Sequence, residues 1–249
     1  MFNDQLLEEY IRTFYGYGSY EGKYWFVGME EGGGGSFEEI NRRLRSWEAD
    51  GKKETRDIAG GYDYRTAPRE RPAPRHFAER PKLQRTWNML IRILLSAEQN
   101  RPTLEDIKTY QRDNLGRPDS PNCLLELLPL PSPSTAHWLY TQYSELPYLR
   151  SRQEYMEQCA PARAKHIKQR IEQYKPTGVV FYGVNWWYRR WWNEIAGVEF
   201  SEVSAGTNAF YIGSNNYTVF VISKHPVSKG ITKDYFHQIG TAISEKVKR

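Results

Sequence analysis

The chain has little cysteine: Cys123 and Cys159 are the only two in 249 residues. That excludes a disulfide framework and any four-cysteine zinc or iron–sulfur site, and it fits a reducing cytoplasm. It has no apolar run near the roughly 20 residues that a membrane helix needs. The opening stretch MFNDQLLEEY is acidic and amphipathic, without a basic segment leading into an apolar one, so no signal peptide is expected. A soluble, cytoplasmic protein is the expectation. His76, His137, His166 and His237 do not cluster at ligand spacing, so no metal is expected, and no cofactor motif is present. Charge of one sign is not in large excess either, with 35 Lys and Arg against 30 Asp and Glu.

What is present is aromatic and unevenly charged. There are 8 Trp and 18 Tyr, and the length suits one large domain or one domain with an insertion. The net charge of +5 is concentrated. The window 52–85 alone holds ten Lys and Arg against five acids, which matches the whole surplus. A basic arm at about 50–85 on a balanced body points toward a polyanion such as DNA, with a solvated linker as the alternative.

Periodicity orders the rest. DQLLEEYIRTF after Asn3 has helical spacing, and SFEEINRRLRSWE reads as a helix with Ser36 as N-cap and Glu39 at the capping-box position. LQRTWNMLIRILLSAEQ, TLEDIKTYQRDNL and ITKDYFHQIGTAISEKVK read as helices. So does the long stretch SRQEYMEQCAPARAKHIKQRIEQY, with Pro161 a candidate break point. KYWFVGM, NCLLELL up to Pro129, GVVFYG, NAFYIG and YTVFVIS read as strands, and VNWWYRRWWNEIAG as a helix. Alternation of this kind predicts an α/β fold in three α/β/α layers, with a central, mainly parallel sheet. Ligands in such folds sit beyond the carboxyl ends of the strands, which draws attention to VGMEEGGGG, LLELLPLPSPS and VISKHPVSKG.

The four glycines Gly32 through Gly35 let backbone approach a ligand and present N–H groups at a helix start, a suitable phosphate seat. The loop lacks the Lys and Ser/Thr of a Walker A motif, and Glu30 and Glu31 would repel a triphosphate. Water, acid–base work and a sugar–phosphate backbone suit it better.

These three strand ends together resemble the uracil-DNA glycosylase superfamily. VGMEEG resembles its first motif, which carries the group that activates water. SKHPVSKG resembles its last motif, the His-Pro-Ser loop that closes on DNA. CLLELLPLPSPS sits where the family has the strand that reads the flipped base. The departures are specific. Glu31 replaces the family proline, Val227 interrupts the His-Pro-Ser form, and Glu126 stands where an asparagine would bind uracil. The resemblance implies a glycosylase fold, duplex DNA as partner and no cofactor.

Chemistry gives each position a reason. Cleavage of an N-glycosidic bond passes through a cationic sugar while the base leaves as an anion. A carboxylate positions or deprotonates water, and a donor stabilises the base. The resemblance implies the first role for Glu30, with Glu31 beside it, and the second for His225. Two like charges so close favour a raised pKa on one of them. Helix capping by a glutamate and a buried structural histidine are the alternatives. Lys224, Ser228, Lys229, Ser132, Gly32 and Gly33 are expected at the DNA backbone. Gly28, Met29 and Phe37 are expected around the base; for Phe37 a core contact at the helix start is the alternative. An ionised Glu126 suits the N4 amino group of cytosine and repels O4 of uracil. One branch of the superfamily excises glucosylated hydroxymethylcytosine from phage DNA as an antiphage defence, and an N4 acceptor with space at C5 resembles what that requires. In NWWYRRWW the tryptophans are expected in the core, with stacking on unpaired bases as the alternative.

Overall fold

The computed structural model describes residues 1–61, 75–98 and 101–248. The core of the fold is a set of four adjacent parallel strands. These are β2 (Tyr24–Glu30), β4 (Asn122–Leu128), β5 (Gly178–Tyr182) and β8 (Val219–Ser223), standing in the order β4-β2-β5-β8. Their sequences are nearly continuous apolar runs, as strands covered on both faces require, and almost every residue in them is buried.

Two margins complete an eight-stranded sheet. On one side β1 (Gly16–Gly18) runs antiparallel to β4 and carries β3 (Thr55–Arg56). On the other, β6 (Ser201–Ala205) and β7 (Asn208–Ser214) form an antiparallel hairpin that β7 joins to β8. The periodicity did not expose β1, β3 or β6. The first two are three and two residues long, and β6 is a largely exposed edge strand of Ser and Glu.

The helices pack in two groups, giving the three-layer α/β/α arrangement. One contains α1 (Asp4–Thr13), α2 (Phe37–Ala49), α7 (Arg152–Tyr174) and α8 (Trp186–Ala196). The other contains α4 (Arg85–Glu98), α5 (Leu104–Asp113) and α9 (Lys233–Val247), with α9 lying so close to α4 that a Cβ on Gly240 would fall 2.3 Å from the Ile93 carbonyl. Short helices α3 (Ile58–Gly61) and α6 (Tyr140–Tyr143) and a 3-10 turn at Pro147–Leu149 complete the set among the described residues. Asn3 caps α1 by accepting from the Leu6 N–H at 3.1 Å. Helix α7 runs unbroken through Pro161, because that proline sits on an exposed face where water can satisfy the freed carbonyl. No helix among the described residues is long and apolar enough to cross a membrane. Cys123 and Cys159 are both free and buried.

Part of the basic window is engaged within the fold. Arg65, Arg69 and Arg71, which carry much of its charge, lie outside the described residues. Arg56 is buried against Asp50 and Ser46, and Lys52 pairs with Glu9 at 2.7 Å. Gln111 donates to the carbonyls of His76 (2.8 Å) and Lys82 (3.1 Å), tying the later part to α5. Lys52 and Arg56 are thus engaged within the fold, while the centre of the expected basic arm lies outside the described residues.

One buried cation holds the layers in register at the site. Arg163 of α7 donates to the carbonyls of Leu127 (2.6 Å), Ile11 (2.8 Å) and Glu126 (3.0 Å), with its guanidinium 3.9 Å from the centre of the Tyr15 ring. Removing it strands three carbonyls in a dry environment. Arg163→Met is expected to cost about 2–4 kcal/mol in urea unfolding. A change below about 0.5 kcal/mol, the range of an ordinary surface substitution, would show that this guanidinium does not hold the layers.

Candidate functional site

Three adjacent strands build the site by placing a glycine between two long side chains. Gly28 of β2 is in register with Glu126 of β4, and its other neighbour on β5 is Tyr182, one step beyond the Val27–Phe181 pair. A Cβ on Gly28 would fall 2.2 Å from Glu126 Oε2 and 2.3 Å from the Tyr182 hydroxyl. Its absence lets the Tyr182 hydroxyl donate to Glu126 Oε1 at 2.9 Å, across the top of β2. Gly28 was expected to face the substrate; what it provides is passage for this bridge.

Side chains alternate along a strand, so Glu30 emerges on the same face one pleat nearer the carboxyl edge, beside Leu128. Arg152, at the start of α7, donates to Glu30 Oε1 at 2.5 Å. Glu30 Oε2 and Glu126 Oε2 are both enclosed and have no hydrogen-bond partner among the described residues. Burial pushes the Glu30 carboxyl above the usual carboxylate value, against the pull of Arg152. Glu126 goes further up. Burial dominates there, the Tyr182 hydrogen bond opposes it, and the charges of Glu31 and Glu30 add to it. Tyr188 of α8 stands close by, its phenol pushed up to about 12 by burial and by the Glu30 charge.

His225 closes the group from beyond β8, its ring edge-on to Tyr182 at 5.6 Å and 63°. The imidazole pKa is lowered by burial, which favours the neutral ring. Its Nδ1 accepts the Val227 N–H at 3.4 Å, which places the ring proton on Nε2. Ser228 and Lys229 are exposed in the same loop, and the Ser228 N–H turns back to the His225 carbonyl at 2.9 Å. Lys224 Nζ is engaged with Asn208 Oδ1 at 2.7 Å.

Several expected members stand elsewhere. Glu31 is held by Arg43 Nη1 at 2.6 Å and by the Tyr17 hydroxyl at 3.1 and 3.2 Å. It anchors β2 to α2 rather than sharing work with Glu30. The raised Glu30 carboxyl comes from burial and not from its acidic neighbour. Glu39 forms no capping box: its carboxylate accepts from the N–H groups of Gly34 (2.9 Å) and Gly35 (3.1 Å), while Ser36 caps α2. The phosphate seat expected on this loop is therefore filled by the protein's own carboxylate. Gly34 has φ +73° and lies against the Pro131 carbonyl, so it shapes the loop. Gly32 is exposed and Gly33 half-buried, with the Gly32 carbonyl accepting from Arg43 at 3.4 Å. Phe37 stacks on Phe2 at 4.8 Å and meets Tyr143 at 4.9 Å, so it is a core contact and not a base platform. Ser132 is buried, donating to the carbonyls of Ser134 and His137, and cannot reach phosphate. Met29 points to the opposite face from Gly28 and packs over Gly183.

Tyr182, Arg152 and Tyr188 were missed. Tyr182 ends the strand GVVFY, a fourth parallel strand end that carries no charged residue to attract notice. Arg152 had a signal: a cation in the first turn of a helix opposes the helix dipole and calls for a carboxylate partner.

Two outcomes follow from the bridge. Gly28→Ala is expected to break the Glu126–Tyr182 bond and cost about 1–3 kcal/mol in urea unfolding; a neutral effect would contradict the close passage. Unfolded, Glu126 ionises near 4.5, whereas folded it holds its proton to higher pH. Its contribution to stability is thus complete below 4.5 and declines as pH rises toward the folded value. Glu126→Gln should gain stability relative to wild type as the pH rises above 4.5; a difference that stays constant as the pH rises would contradict it. No protein-family model matches this chain, and no curated protein matches its sequence.

Proposed function

We propose that the chain is a monofunctional DNA glycosylase that hydrolyses the N-glycosidic bond of a modified pyrimidine flipped out of duplex DNA, leaving an abasic site. The observation that carries this reading is the meeting, at one sheet edge, of Glu30, whose enclosed Oε2 has no hydrogen-bond partner among the described residues, and His225 with a donor N–H, on either side of the Glu126–Tyr182 bridge. Base flipping costs a few kcal/mol, drawn from contacts with the DNA backbone. Lys229 and Ser228 are the exposed candidates for those contacts, with Lys224 beside them.

In this scheme a water held by Glu30 Oε2 bonds through its oxygen to C1′ as the C1′–N1 bond breaks. Its proton passes to Glu30, and the bonding pair leaves with the base. The charge that develops on base O2 is met by the Nε2–H of neutral His225. Glu30 then releases its proton to the departing base or to solvent. Arg152 favours the ionised form of Glu30 and partly offsets its buried setting. No lysine takes part, so strand cleavage does not accompany excision.

Glu126 sets the base. Ionised, it accepts from the N4 amino group of a cytosine. Neutral, it offers one donor and one acceptor and can pair with N3 and N4 of cytosine, or with O4 and N3–H of uracil. A cytosine edge suits both protonation states and a uracil edge only one, so a cytosine-type base comes first. Glucosylated hydroxymethylcytosine of phage DNA, and with it antiphage defence, is the leading candidate. The second reading is a uracil or mismatch repair enzyme, favoured by the burial that keeps Glu126 protonated.

DNAs containing uracil, hydroxymethylcytosine or its glucosylated form, incubated with the protein and scored for alkali-labile sites, test this directly. Release of a cytosine-type base is expected, with Glu30→Gln and His225→Ala each slower on the order of 10²-fold. Near-wild-type rates remove those residues from the mechanism. DNA binding without release from any substrate supports a non-catalytic nucleic-acid module instead. Turnover indifferent to salt points to a small-molecule hydrolase, since binding through several phosphates weakens steeply with salt. The acidic limb of the pH–rate profile should lie above 4.5. Arg152→Met should move it higher, because the cation that favours ionised Glu30 is gone; a limb that stays in place would separate Arg152 from this role.

A further inference from the structure

At the far margin of the sheet, α8 and the β6–β7 hairpin form a cavity of about 500 Å³, within the size range of small-ligand sites. The hairpin supplies one wall. Glu202 pairs with Tyr211 and Ser204 with Ala209 in the β6–β7 register, so all four side chains stand on one face. Arg189 of α8 reaches across to this face, its guanidinium 3.9 Å from the centre of the Tyr211 ring. Lys224, just past β8, lines the cavity together with Thr207 and Asn208 of the hairpin.

Two cations here have no acid on them. The half-buried Arg189 side chain makes no hydrogen bond or ion pair with any described residue, and the Tyr211 ring steadies its guanidinium plane. Lys224 Nζ is held, among the described residues, by the neutral Asn208 Oδ1 at 2.7 Å. Glu202 is the single acid of the described lining; it is exposed and forms an ion pair with neither cation. The lining therefore carries one net positive charge, and a bound anion would recover what the unpaired guanidinium loses in hydration.

The donors identify the anion. The guanidinium fork, the Lys224 ammonium and the hydroxyls of Ser204 and Thr207 come from α8, the end of β8, β6 and the hairpin turn. Donors on separate segments suit the tetrahedral oxygens of a phosphate better than a planar carboxylate, and the fork is able to take two of those oxygens at once. Asn208 also ties the cavity to the candidate site. Besides accepting from Lys224, it donates from Nδ2 to the Gly230 carbonyl at 3.3 Å, so it holds both ends of the loop that carries His225.

We propose that the cavity between Arg189 and Lys224 is a phosphate-binding site. The phosphate belongs to a nucleic-acid backbone that continues past the His225 loop, or is free in solution. The inference stands apart from the glycosylase reading, because it needs neither a flipped base nor its release.

The test is a binding titration of wild type, Arg189→Gln, Arg189→Lys and Ser204→Ala. The probes are inorganic phosphate and acetate at equal ionic strength, and an unmodified DNA duplex over a series of salt concentrations. For a free ligand, wild type is expected to bind phosphate about ten-fold or more tightly than acetate, and Arg189→Gln to lose about ten-fold or more of that affinity. Arg189→Lys, which keeps the charge without the fork, should fall between them. Ser204→Ala, which leaves both cations in place, should lose about five-fold. For a strand, duplex affinity should drop in Arg189→Gln, and the slope of log affinity against log salt should fall by about one. Either pattern supports the site and names its source. Acetate bound through Arg189 as tightly as phosphate overturns the proposal. So does binding of phosphate and duplex that is unchanged in all three variants.

Discussion

The hydrogen bond from Tyr182 to Glu126 is the constraint on which the site depends. It joins β4 and β5, which are not neighbours, across a gap of two strand spacings, roughly 10 Å. Glutamate and tyrosine can span that distance only by lying over the strand between them, and only a glycine there leaves them room. The bridge fixes the Glu126 carboxyl in the middle of the sheet edge and turns the Tyr182 ring so that its side meets His225. Arg163 secures the same strand from below by holding the carbonyls of Glu126 and Leu127.

Three glutamates at this edge are distinguished by their partners. Taking an ionised carboxylate out of water costs several kcal/mol unless it is paired. Glu31 has Arg43 and Tyr17 and serves as an anchor. Glu30 has Arg152 on one oxygen and, among the described residues, no partner on the other, which suits the base proposed for it. Glu126 has, among the described residues, the Tyr182 phenol as its hydrogen-bond partner, and burial raises its carboxyl well above the usual value. Separated proton affinities among neighbouring acids are how one site assigns acid, base and recognition roles.

The central strands and major helices were legible because their signals are local. Continuous apolar runs such as GVVFY and VFVIS can only be covered strands, and Asn3 and Ser36 act as caps where their positions suggest. Glu30, Glu126 and His225 were legible as residues at parallel strand ends. Their division of labour was not, because it turns on contacts between distant segments. Glu31 looks equivalent to Glu30 until Arg43, twelve residues on, closes on it. Glu39 reads as a capping-box residue, yet the turn of the glycine loop brings the Gly34 and Gly35 N–H groups to it instead. Phe37 and Ser132 are spent on Phe2 and on a local turn. Tyr182 carries no local mark of its role, since it ends an apolar strand, and Arg152 carries only that of a cation at a helix start.

The account stands on a protonated Glu126 held beneath an ionisable Glu30. Carbonyl-carbon NMR of protein labelled at the glutamate side-chain carboxyl, with Glu126→Gln to identify the resonance, reads that state directly. The signal absent from the variant should keep the shift of a protonated acid well past 4.5 and change only at distinctly higher pH. A signal that titrates as an ordinary exposed glutamate would contradict the buried bridge and the base recognition built on it.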